Sequence, residues 1–168
     1  MKSNLSVFIV LLLVTSCISI SHEAREPAPQ EHTTEPVMFE LAGSDFEIAK
    51  LESGGQAFSN RKYTWNHVPD HLEGVNYTRT AGGIRATMTL EALTPGVLHV
   101  AVPADRMLDM VDLGWTLAPL NRESTFAFSS ADNQMMALMS RDLDNGETIA
   151  IPQLGWAGTL VIFITGLE

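Results

Sequence analysis

The C-terminal half of this 168-residue chain is a succession of short apolar segments separated by turn signals. Around Met88, apolar and polar residues alternate with the period of a half-buried strand. Five further strand-like segments follow: VLHVAVP (97–103), STFAFS (124–129), MMALMS (135–140), TIAIP (148–152) and TLVIFIT (159–165). The runs AGG (81–83), TPG (94–96) and DNG (144–146) are typical of turns. We therefore predict an all-β fold, an antiparallel β-sandwich of the jelly-roll type.

One segment breaks this pattern and predicts a single short helix. In PADRMLDMVDLGW (103–115), Met107, Met110 and Val111 have the i, i+3, i+4 spacing of a helix face, and Gly114 is placed to end the helix. The last segment, 159–165, is apolar at both alternating sets of positions, so we expect a central strand that is covered on both faces. The triplet LGW occurs at 113–115 and 154–156, which is too short to establish a duplication.

The N-terminus carries targeting signals. Residues 5–14 form an apolar run of signal-peptide length, too short to span a bilayer. The run ends in VTSC, which resembles the lipobox of bacterial lipoproteins. This resemblance implies that residues 1–16 are a signal peptide and that Cys17 is acylated. It also implies a lipid anchor in the cell envelope, at the outer membrane because Ile18 rather than aspartate follows the cysteine. An ordinary secretory signal is the alternative.

Residues 17–37 predict a flexible tether, because the segment is polar, contains three prolines and lacks aromatic residues. The histidines at 22 and 32 lie in it and fit solvated linker residues. Residues 38–168 then form one β-sandwich domain. This domain has 8 basic and 16 acidic residues, which argues against nucleic acid as a partner. The single cysteine of the chain excludes an intramolecular disulfide.

The segment FSNRKYTWNHVPDHLEGVNYTR, residues 58–79, concentrates side chains that stack, carry protons and bind anions. It contains both tyrosines, two of the five histidines and one of the three tryptophans. From residue 58 to residue 85 there are four basic and two acidic residues, whereas the rest of the domain has four basic and fourteen acidic residues. A positive segment in an acidic domain would attract an anionic ligand.

These side-chain types fit the chemistry of an oligosaccharide that contains a uronate. Aromatic faces stack on sugar rings, arginine forks hold carboxylates, and histidine and tyrosine carry protons. Elimination at a uronate removes the C5 proton and protonates the leaving oxygen at C4. The predicted proton carriers are Tyr63, His67, His71 and Tyr77. The predicted substrate-binding residues are Asn60, Arg61, Trp65, Arg79 and His99. His99 is included because VLHVAVP places it on one strand face with Ala101.

Other interpretations of these residues remain open at this point. Tyr63 and Trp65 alternate with polar neighbours and also fit the core face of a strand. His99 fits a histidine buried within the sheet, and the methionines at 135, 136 and 139 fit core packing. The chain contains no P-loop, dinucleotide-binding, zinc-protease or dithiol signature, and we expect neither a metal nor a cofactor.

Residues 54–83, GGQAFSNRKYTWNHVPDHLEGVNYTRTAGG, together with GVLHVAVP, LGW and IPQLGWAGTLVIF, resemble a small β-sandwich domain of secreted bacterial proteins of polysaccharide degradation. The resemblance covers most of residues 54–164, and AFSNRKYTW…VP…LEG…YT…GG is its most specific part. The stand-alone lipoprotein form resembles oligosaccharide dehydratases of ulvan-utilisation loci. That likeness implies a hydro-lyase that forms an unsaturated uronate at the non-reducing end of ulvan-type oligosaccharides. The alternative is a non-catalytic carbohydrate-binding surface lipoprotein.

Overall fold

A computed structural model describes residues 36–83, 85–118 and 125–164 of the chain. The elements in chain order are β1 (Phe39–Ser44), β2 (Phe46–Lys50), β3 (Trp65–Asn66), β4 (Asn76–Thr80), β5 (Thr87–Ala92), β6 (Gly96–Pro103), a 3-10 turn (Ala104–Arg106), α1 (Met107–Asp112), β7 (Thr116–Leu117), β8 (Thr125–Phe128), β9 (Met135–Leu143), β10 (Thr148–Ala150) and β11 (Leu160–Phe163). The predicted signal peptide, the acylation site Cys17 and all but the end of the predicted tether lie outside the described residues.

The strands form two antiparallel sheets. The small sheet has the order β1-β5-β10, and the large sheet has the order β2-β4-β11-β6-β9-β8-β3, with β7 paired to β9. Antiparallel sheets with one short α-helix confirm the predicted all-β, sandwich-like fold class. β11 lies between β4 and β6, and Leu160, Val161 and Ile162 are buried, which confirms the prediction of a central strand.

Both faces of the large sheet are covered, each by a different part of the chain. Successive side chains of a strand point to opposite faces. Val100 and Val161 accordingly pack with Leu90 of the small sheet in one hydrophobic cluster. Ala101 and Ile162 belong to a second cluster on the other face. The large sheet is therefore the middle layer of the domain.

The face of the large sheet that carries Ala101 and Ile162 is covered by residues 51–75, the segment between β2 and β4, which we call the cover segment. Its ends are tied together, since the Leu51 N–H donates to the Val75 carbonyl at 2.8 Å and the Gly74 N–H donates to the Leu51 carbonyl at 2.8 Å. Its middle contains β3, where Trp65 lies opposite Phe128 of β8. Phe58, Trp65 and Tyr77 of the aromatic-rich stretch singled out in the sequence are thus core residues.

Several local predictions are refined by the structure. The helix is shorter than the predicted segment: α1 follows a 3-10 turn, and Gly114 closes it with a φ of 84°. Met136 and Met139 are core residues as expected, whereas Met135 is 41% exposed. Strands β1, β2 and β4 were not predicted. Among the described residues, no helix has the length and apolar character needed to cross a membrane.

Candidate functional site

Trp65 and Tyr77 are buried together beneath the cover segment, and both are 0% exposed. The Trp65 Nε1–H donates to the Tyr77 Oη at 3.0 Å, and that hydroxyl donates to the Gln56 carbonyl at 3.0 Å. Burial raises the pKa of Tyr77 above its usual value of 10.0. These contacts place both side chains in the core. Trp65 offers no open face to a sugar, and Tyr77 is a protonated, hydrogen-bonded core residue rather than a proton carrier in an open site.

His99 is buried within the large sheet. It lies in β6 between Ile162 of β11 and Ser140 of β9, on the same strand face as Ala101. Its Nδ1 has no hydrogen-bond partner among the described residues. Burial lowers the pKa of His99 to about 4, so the imidazole is neutral at pH 7. This position is that of a histidine buried within the sheet, the alternative that the sequence left open for His99.

The remaining predicted residues lie near opposite ends of β4. His67 and His71 are in the loop that leads into this strand. Asn60 is tied to the other end, since its Nδ2 donates at 3.2 Å to the carbonyl of Gly82, which follows β4. Among the described residues, the two histidines and Asn60 are therefore placed near different ends of this strand.

Arg61 and Tyr63 do share a surface, and the residue that joins them is Trp156. The Arg61 Cζ lies 6.0 Å from the centroid of the Trp156 ring, within the range of a cation–π contact. The Tyr63 ring packs edge-on against the same indole, with centroids 5.9 Å apart. Trp156 is 45% exposed, whereas the other two tryptophans, Trp65 and Trp115, are buried. It is therefore the indole that can offer a face to a ligand.

Hydrogen bonds and a packing contact fix the loop that carries Trp156. Across its base, the Thr159 N–H donates to the Gln153 Oε1 at 3.2 Å, and the Gln153 Nε2 donates to the Thr159 carbonyl at 3.3 Å. The indole ring itself lies against Gly82, where an added Cβ would be 2.7 Å from the Cη2 of the indole. The Gly83 N–H also donates to the Trp156 carbonyl at 3.2 Å. These contacts hold the indole in place before any ligand binds.

Beside this indole is a surface hollow of about 260 Å³, which we call the Trp156 hollow. It is lined by Tyr63, Phe128, Ser130, Ala131, Asp132, Gln134 and Trp156. Its floor is aromatic, and its rim carries a carboxylate, an amide and a hydroxyl. Pockets for small ligands combine apolar or aromatic walls with a few placed polar groups in this way.

A second hollow of about 320 Å³, the Arg79 hollow, lies beside β2 and β4. It is lined by Asp45, Phe46, Glu47, Ser59, Arg79 and Ala81. The Arg79 Nε donates to the Glu47 Oε1 at 2.9 Å, and the two residues face each other across the strand pair. Within the described residues, no group of three or more His, Cys, Asp or Glu side chains is arranged to hold a metal ion.

Of the residues at or near this indole, the sequence singled out Asn60, Arg61 and Tyr63, but it did not single out Trp156, Asp132 and Gln134. The available signal for Trp156 was the glycine-flanked LGWAGT run, because glycines on both sides of a large aromatic residue are typical of a tight loop that projects it. Nothing in the local sequence around residues 130–134 indicates a binding surface, since their role depends on the long-range approach of β8 to the cover segment.

Comparison with known proteins identifies the fold alone. No protein-family model and no curated protein sequence matches this chain. A solved structure described as a GH138 enzyme targeting pectin rhamnogalacturonan II is similar over 82% of this chain, with a TM-score of 0.54 and 12% sequence identity. This chain spans 17% of the length of that enzyme. The similarity therefore concerns a β-sandwich portion of a much larger protein.

Proposed function

We propose that this protein binds anionic oligosaccharides that contain a uronate, with the Trp156 hollow as the primary contact. The observation that carries the proposal is an exposed indole that has the Arg61 guanidinium over its ring and the polar side chains of Asp132 and Gln134 in the hollow beside it. The apolar face of a sugar ring would stack on Trp156, and Asp132 and Gln134 would receive its hydroxyl groups. Arg61 would pair with the carboxylate of the sugar.

The fold similarity supports a role in carbohydrate recognition. The neighbour's description names pectin rhamnogalacturonan II as the target of that enzyme. Its activity is not transferred, because this chain corresponds to a small part of that protein. We propose instead that this domain holds an oligosaccharide at the cell envelope, anchored through acylated Cys17.

A hydro-lyase acting on uronates, as in ulvan-oligosaccharide dehydratases, is the second candidate. It is favoured by the presence of Tyr63 and Arg61 on the same indole, which would put a phenol close to a bound carboxylate. The other predicted proton carriers are placed differently: Tyr77 is buried, and His67 and His71 lie in the loop before β4. We therefore propose binding as the principal function.

Calorimetric titration with uronate-containing oligosaccharides, including sulfated rhamnose–glucuronate fragments, tests the proposal. Trp156→Ala should weaken binding at least about tenfold, the effect of losing about 1.4 kcal/mol of contact. Arg61→Ala should weaken binding of the uronate more than binding of its carboxyl-reduced analogue. Leu108→Ala, which removes a side chain that is 79% exposed outside the hollow, is the matched control and should bind normally.

Absorbance in the unsaturated-uronate band, followed during the same incubation, separates the two candidates. Binding without product supports the binding function. Product that appears with the unaltered protein and is lost in Tyr63→Phe would establish the lyase instead. Equal affinity of the unaltered protein and Trp156→Ala, with both proteins folded, would contradict the assignment of the site.

A further inference from the structure

We propose that the Arg79 hollow is a second subsite that takes a neutral, hydroxyl-rich sugar unit next to the acidic unit held at Trp156. The ligand would then be an oligosaccharide in which acidic and neutral units are adjacent. This inference rests on the proposed function and extends it to the kind of sugar recognised.

The two hollows are neighbours on one surface. Ser59 lines the Arg79 hollow, and Arg61, two residues further along, lies over Trp156. Two residues span at most about 7.6 Å between Cα atoms. A second connection runs along the chain after β4, where Ala81 lines the Arg79 hollow and Gly82 lies against the Trp156 ring. The Arg79 hollow and Trp156 are therefore joined by two short stretches of chain, one of which contains Asn60.

The sizes of the hollows favour a shared ligand. The volume of about 260 Å³ is below the range for small-molecule pockets, about 300–1,000 Å³, and the volume of about 320 Å³ is at its lower end. Neither hollow alone encloses an oligosaccharide of several units. A ligand longer than one or two sugars must therefore extend beyond the Trp156 hollow, and the Arg79 hollow is a nearby concave surface among the described residues.

The charges of the Arg79 hollow indicate which unit it accepts. Arg79 is already paired with Glu47, and Asp45 adds a second carboxylate, so the three side chains together have a net charge of −1. A sugar carboxylate would be repelled there. Sugar hydroxyls would donate to the carboxylate oxygens and accept from the remaining N–H groups of the guanidinium.

The backbone fixes these groups before binding. Glu47 and Arg79 are directly opposite each other on β2 and β4, so the ion pair is a cross-strand pair. Asp45 joins β1 to β2 with a φ of 65°, a left-handed conformation that Asp and Asn adopt more easily than most residues. Asp45→Asn should therefore keep the backbone while removing the charge, and Glu47→Gln keeps an acceptor for Arg79.

The experiment is calorimetry on the full chain with a uronic acid monosaccharide, a uronate–neutral disaccharide and a tetrasaccharide of the same repeat. We expect the affinity to rise with length. Asp45→Asn and Glu47→Gln should each reduce the affinity for the tetrasaccharide about three- to tenfold, as expected for losing one hydrogen bond, while the affinity for the monosaccharide is unchanged. Glu40→Gln, an exposed carboxylate at the far end of β1, is the control and should match the unaltered protein.

The outcomes distinguish the second subsite from the proposed function. Binding that depends on Trp156 but is insensitive to both Asp45→Asn and Glu47→Gln at every length overturns the second subsite and leaves the proposed function standing. An equal loss for all ligand lengths also overturns it, because the effect would then be general. Failure of the unaltered protein to bind any of the three sugars contradicts the proposed function itself.

Discussion

Lowering the pH below neutrality should destabilise this protein, because His99 is buried as a neutral imidazole. Burial lowers the pKa of His99 in the folded protein to about 4, from the ordinary value of 6.5 that applies to the unfolded chain. Between these values the unfolded chain binds a proton that the folded protein does not, so unfolding becomes more favourable as the pH falls. The stability is fully present above pH 6.5 and is lost progressively towards pH 4.

The magnitude follows from the gap between the two pKa values. Each unit corresponds to about 1.4 kcal/mol, so the complete loss is about 3 kcal/mol, and about 2 kcal/mol of it has occurred by about pH 5. The neighbours of His99 across the sheet, Ser140 and Ile162, bring no charge that could compensate for a proton on the ring. A loss of this size is a substantial part of the free energy of unfolding of a typical domain.

Urea unfolding at about pH 7.5 and about pH 5, at constant ionic strength, measures this loss. His99→Leu removes the titrating ring and should make the decrease in free energy of unfolding smaller by about 2 kcal/mol. Leu108→Ala is the control, because it removes a side chain that is 79% exposed and leaves every titrating group in place. The free energy of unfolding of the control should fall between the two pH values by the same amount as that of the unaltered protein. The reasoning is refuted if His99→Leu and the unaltered protein lose the same stability between the two pH values.

Three further predictions concern other parts of the molecule. Tyr77→Phe leaves the Trp65 N–H and the Gln56 carbonyl without their buried partner, and should lower the free energy of unfolding by about 1–3 kcal/mol in urea titrations while sugar affinity is unchanged; weaker sugar binding by a fully folded variant would contradict this prediction. Gly82→Ala should push the Trp156 ring out of place, because the new Cβ would be 2.7 Å from it, and calorimetry should show weakened binding with little loss of stability; unchanged affinity would show that the ring position is immaterial. Cys17→Ser should release the protein from the membrane fraction or leave uncleaved precursor, and continued membrane association would reject the lipid anchor.

The fold class could be predicted because the strands of the C-terminal half carry their own signals. β6 and β11 are apolar enough to be recognised without knowledge of their partners, and the DNG turn has the expected Gly146 with a φ of 79°. Strands β1 and β2 could not be found in this way. They are at sheet edges and expose charged residues such as Glu40 and Glu47, so their apolar pattern is weak.

The site was harder to predict than the fold. The residue types of the 58–79 segment fit a ligand site and a core layer equally well, and only the tertiary structure separates Arg61 from Trp65. The two LGW triplets illustrate the same limit, since Trp115 is 2% exposed and packs between the sheets, whereas Trp156 is 45% exposed. The tryptophans of two identical triplets differ in exposure because burial depends on which distant segment covers each residue.

Quenching of tryptophan fluorescence tests most directly whether Trp156 is the contact face for a uronate-containing oligosaccharide. Trp65 and Trp115 are buried, so a soluble quencher such as acrylamide should report mainly on Trp156. We predict that the oligosaccharide protects this fluorescence from quenching in a saturable manner, and that Trp156→Phe lacks the protected component. Undiminished quenching of the unaltered protein at saturating oligosaccharide would contradict the account.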